Sequence, residues 1–296
     1  MSAPAVLVDA SLYIFRAWHS MPDDFVDVDG NSANAVHGFA RFICELLERQ
    51  KPAHIAVAFD EALDTCFRNE IYPAYKANRD PAPDELKIQF GACQQLCRHM
   101  GLLVLANGRY EADDLIGSAM LQLRQQGMAG LIISADKDLS QLLHEGDEQW
   151  DFARNQRWDW TGVKDRYGVH AHQIPDYLGL SGDAVDNIPG IKGIGAKTAQ
   201  VLIGHFGSLD ELFERVNEVP YLRLRGSAMH AERLKQQKDI ALISRQLATV
   251  ACDAPMPTEF NMAKRLKPDI PKLDAFCERL KIGPMTRRRL HEAANQ

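Results

Sequence analysis

Short runs of consecutive apolar residues alternate with segments of helical periodicity in the first half of the chain. Continuous apolar runs are typical of parallel strands that are covered on both faces. The runs are Ala5 to Asp9, His54 to Asp60, Leu102 to Leu105 and Gly130 to Ser134. The helical segments between them are Ser32 to Gln50, Pro83 to His99 and Ala112 to Gln126. This alternation predicts an α/β fold with a central parallel sheet.

The segment from Glu61 to Pro83 interrupts the alternation, because prolines break up a stretch rich in Arg, Tyr and Lys. Proline is tolerated in the first turn of a helix but not in its interior. We therefore predict a short helix from Pro73 to Arg79, followed by a turn and the longer helix. An insertion of this kind above a sheet is more often functional than decorative.

The strand pattern fades after Asp151, and short helical segments surround a glycine-dense stretch from Ile188 to Ala199. We expect an α/β domain over residues 1–160 and a helical domain with a C-terminal extension over residues 161–296. The proline-containing run from Ala254 to Pro271 predicts a surface connection. Arg287, Arg288 and Arg289 make the end of the chain basic.

Composition excludes few classes of protein. The 46% of hydrophobic residues is an ordinary globular value, and neither a long apolar run nor a secretory signal is present, so we expect a soluble, cytoplasmic, monomeric protein without a membrane partner. The six cysteines lack a zinc or C-x-x-C spacing, which predicts buried reduced thiols. A net charge of −6 disfavours nucleic acid, unless the acids surround metal ions and the basic residues lie elsewhere.

Carboxylates cluster where predicted strands end and helices begin. In an open parallel sheet such positions share the carboxyl edge, where ligands bind. The nine residues are Asp9, Asp60, Glu111, Asp113, Asp114, Asp136, Asp138, Asp183 and Asp186. Taken singly, Asp113 and Asp114 are equally explained by the positive end of a helix, and Asp136 by helix capping.

As a set, these acids predict a metal site. Two like charges about 4 Å apart cost roughly 1 kcal/mol even in water, so a cluster usually encloses a cation. Hard oxygen ligands without Cys or His favour Mg²⁺ or Mn²⁺ over zinc. Two such ions, about 4 Å apart, would clamp the attacking and leaving oxygens of a phosphoryl displacement. Phosphodiester hydrolysis is the chemistry we expect.

Two further segments have residues suited to phosphate. Gly190, Gly193 and Gly195 predict a hairpin whose backbone amides point outward, with charge added by Lys192 and Lys197 and a helix starting near Ala196. The alternative is a tight turn between helices; a dinucleotide fingerprint fails because no strand precedes the glycines.

On the predicted short helix, Tyr75, Lys76 and Arg79 would share one side, with Arg68 and Tyr72 just upstream. Aromatic rings interleaved with cations suit a single-stranded nucleic acid, although a solvated helix face is the plain alternative. Arg16 is a weaker candidate for a phosphate contact.

The ordered motifs resemble the 5′-nuclease superfamily, which includes the 5′-3′ exonuclease domain of bacterial DNA polymerase I, phage 5′-nucleases and flap endonucleases. The resemblance runs from Val6 to about Leu209. It is carried by VDASLYIFRA, FRNE with YKANR, YEADDLIG, SADKDLSQL and LSGDAVDNIPGIKGIGAKTA. Five motifs in order are far more specific than any one of them.

The resemblance implies a PIN-like nuclease core, a helical arch over about residues 61–100 and a helix-three-turn-helix unit for duplex DNA. It implies two metal groups, Asp9, Asp60, Glu111, Asp113 and Asp114 in the first and Asp136, Asp138, Asp183 and Asp186 in the second. Lys76 and Arg79 match the arch cations that steer the scissile phosphate. The hairpin from Gly190 to Thr198 matches the duplex-binding element, which in relatives also holds a potassium ion.

The expected activity is a 5′-3′ exonuclease and structure-specific flap endonuclease acting on DNA with 5′ flaps, ends or branches in replication or repair. The chain contains no polymerase region, so the nuclease would act in trans. The alternatives are an RNA-directed PIN-type ribonuclease, a non-catalytic junction-binding protein and a haloacid-dehalogenase-type phosphatase. The last normally has a second aspartate where this chain has Ser11.

Overall fold

A single sheet of six strands organises the protein. The computed structural model describes residues 3–61 and 65–296; residues 1, 2 and 62–64, the last within the predicted arch, lie outside the described residues. The strands are β1 (Ala5–Asp9), β2 (Ile55–Asp60), β3 (Leu103–Asn107), β4 (Gly130–Ile133), β5 (Glu148–Asp151) and β6 (Gln156–Asp159). Their order is β3-β2-β1-β4-β5-β6, and every pairing is parallel except that of β6 with β5. The predicted α/β fold with a parallel sheet is confirmed.

Helices cover both faces of the sheet and form a separate helical unit after β6. The helices up to β4 are α1 (Ala10–Ser20), α2 (Asn34–Gln50), α3 (Phe67–Ile71), α4 (Asp84–His99) and α5 (Ala112–Gln125). Those after β6 are α6 (Gly162–Tyr167), α7 (Ile174–Ser181), α8 (Ala196–Phe206), α9 (Leu209–Glu214), α10 (Ser227–Gln236), α11 (Lys238–Ala248), α12 (Ile270–Arg279) and α13 (Pro284–Ala294). Short 3₁₀ helices occupy Asp138–Leu142, Ala171–Gln173 and Val216–Tyr221.

Strand β1 is buried along its whole length because its alternate side chains enter two different cores. Ala5 and Leu7 join α5 and the helical unit in one core. Val6 and Val8 join α1, α2 and α4 in the other. A strand placed between two cores must be apolar at consecutive positions, which explains the uninterrupted run in the sequence.

The C-terminal helices belong to the second core. Helix α12 contacts α4, and α13 contacts α2, so both pack on the face of the sheet opposite the helical unit. The connection predicted to lie on the surface is partly buried at Ala254, Phe260 and Ala263. It is held by backbone hydrogen bonds, among them Ile55 N–H to the Ala263 carbonyl at 2.6 Å.

The strand and long-helix predictions agree with the structure to within two residues at each end. The predicted helix from Pro73 to Arg79 is wrong, since helix α3 lies earlier and the predicted residues form consecutive turns. Lys76 has a left-handed backbone (φ 54°), and its amide donates to the Asp186 carbonyl at 3.0 Å. This contact with a distant segment replaces the local bond that a helix would need.

All six cysteines are free thiols, five of them buried and Cys252 half-buried. No helix in the described part of the chain has the length and apolar character needed to cross a bilayer.

Leu273 on α12 is fully buried, so Leu273→Ala should lower the free energy of unfolding by about 2–5 kcal/mol. Urea denaturation followed by circular dichroism measures the change. The matched control is Met285→Ala on α13, where the side chain is 80% exposed and the change should stay within about 0.5 kcal/mol. Equal effects of the two substitutions would show that α12 is not packed on the core.

Candidate active site

Asp9 and Asp60 lie at the carboxyl edge of the sheet because each is the last residue of its strand. The Ser134 hydroxyl, just beyond β4, donates to Asp9 Oδ2 at 2.9 Å. Asp60 Oδ1 accepts the Ala112 amide at 2.7 Å, which ties the first turn of α5 to the end of β2. The ends of three strands and the start of one helix therefore meet at one edge.

Burial and charge repulsion act together on these acids. Burial, followed by the negative charge of Asp60, raises the pKa of Asp9 to about 7. Burial, followed by the charges of Asp136 and Asp9, raises the pKa of Asp113 well above its ordinary value. Each of these two carboxylates is thus close enough to other acids for their charges to oppose its ionisation.

Glu111, Asp113 and Asp114 open helix α5 but differ in their surroundings. Glu111 Oε1 accepts from Lys76 Nζ at 2.5 Å, and Oε2 accepts from the Tyr75 hydroxyl at 3.0 Å. Burial alone would raise the pKa of Glu111, but the positive charge of Lys76 lowers it below its ordinary value. Asp113 is half-buried and faces the other acids, whereas Asp114 is fully buried.

Asp114 uses both carboxylate oxygens inside the protein. It accepts two bonds of 2.7 Å from Arg68, one from the Glu111 amide at 3.1 Å and one from the Ala251 amide at 2.8 Å. These contacts favour a structural role over the metal-ligand role predicted from the sequence. Asp114 is therefore left out of the ligand set proposed below.

The second group of acids comes from the segment after β4, where Asp138 opens a 3₁₀ helix, and from the loop after α7. Asp138 is 9% exposed, and its Oδ1 is buried without a hydrogen-bond partner in the described part of the chain. Asp183 is paired with Lys137, and Asp186 with Arg79. Lys76 also lies 3.7 Å from Asp186 Oδ2, so one lysine bridges the two predicted groups.

The nine predicted carboxylates are accompanied by four cationic partners, Arg68, Lys76, Arg79 and Lys137. Negative charge therefore remains in excess. Within residues 3–61 and 65–296, no three His, Cys, Asp or Glu side chains converge tightly enough to enclose an ion as they stand. Several of the carboxylate oxygens instead accept hydrogen bonds from Lys76, Arg79 and Lys137. The excess charge, the unpartnered Asp138 oxygen and the all-oxygen donor set fit a hard divalent cation.

A cavity of about 390 Å³ opens between the turns of residues 73–79 and this edge. Its lining includes Phe15, Asp60, Tyr75, Lys76, Arg79 and Glu111. Acidic and cationic side chains both line it, and Lys76 is paired with Glu111 within the lining. A lining that combines carboxylates with cations suits a phosphate that approaches bound metal ions.

Two residues predicted to contact DNA are enclosed by protein. Arg68 is 3% exposed and Tyr75 is 4% exposed. The prediction that Arg68 contacts DNA is wrong for this reason, and Tyr75 presents too little of its ring for a base to stack on. Arg79 remains accessible, with 48% of its side chain exposed. Arg16 is exposed and lines a separate cavity between α1 and α2, whose lining includes none of the nine predicted carboxylates.

The glycine hairpin is built partly as predicted. Gly190 (φ 58°) and Gly193 (φ 87°) need the left-handed conformation that glycine tolerates, and Lys192 and Lys197 are exposed. The amides of Gly190 and Lys192 are used within the protein, by the buried Ser244 hydroxyl at 3.0 Å and by Gln237 Oε1 on the surface at 2.9 Å. Helix α8 begins at Ala196, and its N-cap residue Gly195 has no side chain to bond the first amides, so these amides are the ones suited to an anion.

Sequence analysis missed Ser134 and Lys137 as site residues. Ser134 orients Asp9, and Lys137 neutralises Asp183. Both stand in the motif SADKD, next to acids that were identified, so their position immediately after a buried strand was the available signal.

Replacing Asp9 by Asn should raise the melting temperature of the metal-free protein at pH 8. The pKa of Asp9 rises from 3.8 to about 7 on folding, so its contribution to stability is lost as pH increases from about 4 to about 7. The gain should therefore shrink towards pH 5, where the wild-type carboxyl is protonated. Differential scanning fluorimetry in EDTA from pH 5 to 8 measures both values.

Asp239→Asn, at an exposed position of α11, is the matched control and should give no pH-dependent gain. A loss of stability in Asp9→Asn that is equal at pH 5 and pH 8 would contradict charge repulsion at this edge.

Two family models match the chain in succession. Residues 4–168 match the 5′-3′ exonuclease N-terminal resolvase-like domain, and residues 169–271 match the 5′-3′ exonuclease C-terminal SAM fold. Among solved structures, the T5 D15 protein co-crystallised with metal ions is similar over 98% of this chain and 99% of its own, with a TM-score of 0.68 and 19% identity. The catalytic core of Rad2 in complex with DNA substrate has a TM-score of 0.63 and 17% identity, over 99% of this chain and 91% of its own. These likenesses establish the fold.

Curated relatives are more similar in sequence. A 5′-3′ exonuclease of Buchnera aphidicola is 32% identical over 86% of this chain and 88% of its own length. DNA polymerase I of Caldicellulosiruptor bescii is 35% identical over 85% of this chain, which spans 29% of that polymerase. With both family models and a relative of matching length in agreement, the chain belongs to the 5′-3′ exonuclease family.

Proposed function

We propose that this member of the family cleaves DNA phosphodiester bonds, as a 5′-3′ exonuclease and flap endonuclease, by two-metal-ion catalysis. The observation that carries the proposal is the excess of carboxylates over cations at the sheet edge, where Asp138 Oδ1 is buried without a hydrogen-bond partner among the described residues. Lys76 and Arg79 line the adjoining cavity and pair with carboxylates of this edge. Repulsion among those acids is relieved when divalent cations bind.

Eight carboxylates are the proposed ligands. Asp9, Asp60, Glu111 and Asp113 would hold one ion, and Asp136, Asp138, Asp183 and Asp186 the other. Oxygen donors alone favour Mg²⁺ or Mn²⁺. When bound, the ions supply an activated water and neutralise charge on the scissile phosphate.

Lys76 and Arg79 are the proposed phosphate-steering residues. Both are paired with carboxylates of the proposed ligand set, Lys76 with Glu111 and both with Asp186. Both cations lie beside proposed ligands and would contact the phosphate of a bound strand there. Although burial opposes its charge, Glu111 holds the pKa of Lys76 well above its ordinary value, so the ammonium stays charged at working pH.

The segment of residues 61–100 is the proposed arch for the 5′ strand. Its turn region is joined to the loop after α7 by Asn187 Nδ2, which donates to the Ala74 carbonyl at 2.6 Å, and by Asn78 Nδ2, which donates to the Ala184 carbonyl at 2.9 Å. These bonds bring the proposed strand path and the second acidic group together.

The proposed duplex contact is the start of α8, with the charges of Lys192 and Lys197. Both lysines are exposed, whereas the paired carboxylates of the acidic edge are held by other cations, which answers the objection raised by the net charge of −6. The resemblance to relatives also makes this hairpin the proposed potassium site. The T5 D15 protein is described in a pseudo-enzyme-product complex with DNA and metal ions, which supports DNA as the substrate class.

Asp136→Ala should abolish cleavage of a 5′-labelled flap in Mg²⁺. Loss of one metal position removes about 4 kcal/mol of transition-state stabilisation, which corresponds to about a thousandfold slower single-turnover rate. Binding of the same flap in Ca²⁺, measured by fluorescence anisotropy, should change by less than about threefold in affinity, which is less than about 1 kcal/mol.

The matched control is Asp165→Ala on α6, an exposed acid outside the cluster, which should cleave at the wild-type rate. Full cleavage by Asp136→Ala would contradict the proposal. A flap of identical sequence made of RNA distinguishes the ribonuclease alternative, which predicts faster cleavage of RNA than of DNA.

A further inference from the structure

The guanidinium of Arg68, on helix α3, is enclosed at the base of the proposed arch. Its Nε donates to the Leu247 carbonyl at 2.9 Å, and its NH2 donates to the Thr249 carbonyl at 2.9 Å. NH1 donates to Glu111 at 2.8 Å and to Asp114 at 2.7 Å, and NH2 donates to Asp114 at 2.7 Å. All five N–H donors of the side chain are used, and none is left for a nucleic acid.

This geometry is specific to arginine. Asp114 receives the two terminal nitrogens as a bidentate pair, which a lysine cannot reproduce because its ammonium is a single point charge. Asp114 also accepts the Glu111 and Ala251 amides, so its position is fixed by backbone on two sides. The pair is therefore a rigid clamp rather than a mobile surface ion pair.

The clamp restricts the orientation of Glu111. Arg68 and the Tyr75 hydroxyl both bind Oε2, at 2.8 and 3.0 Å. With that oxygen fixed, Oε1 is turned towards Lys76 and the cavity. The oxygen that a cation or Lys76 can reach is thus selected by groups on the opposite side of the carboxylate.

The same guanidinium joins three parts of the molecule. Helix α3 carries Arg68, the first turn of α5 carries Glu111, and the two carbonyls belong to the end of α11 and the residue after it. Helix α11 packs along α7, and the loop after α7 contains Asp183. A displacement of Arg68 would therefore change contacts at the arch base, in the first acidic group and in the helical unit.

We propose that Arg68 is a positioning residue for cleavage, which aims Glu111 Oε1 at the metal position and fixes the arch base to the helical unit. This inference rests on the proposed function, in which Glu111 is a metal ligand. Ligand-orienting groups of this kind typically contribute 10- to 100-fold to metal affinity or activity. A purely structural ion pair would affect only the folded fraction.

The test compares Arg68→Met, Arg68→Lys and the wild type. Calorimetric titration of the DNA-free protein with Mn²⁺ gives the affinity, and cleavage of a labelled flap gives kcat and KM. Arg68→Met should weaken Mn²⁺ binding and lower kcat by about 10- to 100-fold each, with KM changed by less than about threefold, and Arg68→Lys should fall between it and the wild type. Circular dichroism fixes the folded fraction to which all values are normalised.

The matched control is Arg124→Met at the other end of α5. Arg124 donates to the buried Asp147 at 2.8 Å, so this variant also breaks an ion pair with a buried acid, but away from the site. It should keep the wild-type Mn²⁺ affinity and kcat. If Arg68→Met does not fold, Arg68→Lys and Asp114→Asn carry the test, and both should weaken Mn²⁺ binding.

Wild-type Mn²⁺ affinity and kcat in the folded Arg68 variants would overturn the proposal. So would losses in the Arg68 variants no larger than those in Arg124→Met. A wild-type protein that fails to cleave any flap would instead refute the proposed function, while its Mn²⁺ affinity compared with that of the variants still tests the orientation of Glu111.

Discussion

Repulsion among acidic side chains at one edge of the sheet is the constraint on which the rest of the site depends. Strands β1, β2 and β4 are parallel and end at this edge. Their backbones therefore hold Asp9, Asp60 and the acids after β4 near one another. Burial strengthens the repulsion, which is expressed in the raised pKa of Asp9. Such a cluster persists only if the surrounding fold holds it and cations neutralise it.

Two hydrophobic cores hold the strands of this edge in place. Leu7 and Val8, neighbours on β1, point into opposite cores, so the central strand cannot shift without disturbing both. The helical unit covers one face, and α12 and α13 cover the other, which makes the C-terminal helices part of the support for the acidic edge. Neutralisation is partial and comes from Arg68 on α3 and from Lys76, Arg79 and Lys137, which reach the acids from loops or turns.

The sequence predicted best where a single local rule decides the outcome. Apolar runs that end in Asp9 and Asp60 located two strands and two acids at once, because a buried strand must be apolar until it reaches the edge. The sequence predicted least well where contacts with distant segments determine whether a side chain is exposed. Arg68 and Tyr75 looked like a basic aromatic surface but are buried beneath residues 247–251 and against Glu111. Asp113 and Asp114 are adjacent in the sequence, which does not distinguish them. In the structure Asp113 faces the other acids, whereas Asp114 is bound by Arg68.

We propose that these carboxylates bind two divalent cations, which a crystal structure of the protein with Mn²⁺ and a flap DNA would show. Anomalous scattering at the manganese edge should give two peaks about 4 Å apart, the separation typical of two-metal sites. One peak should be bound by the acids at the ends of β1 and β2 and the start of α5, the other by those of the two following loops. Side chains that point away from one another, with no anomalous peak among them, would contradict the account.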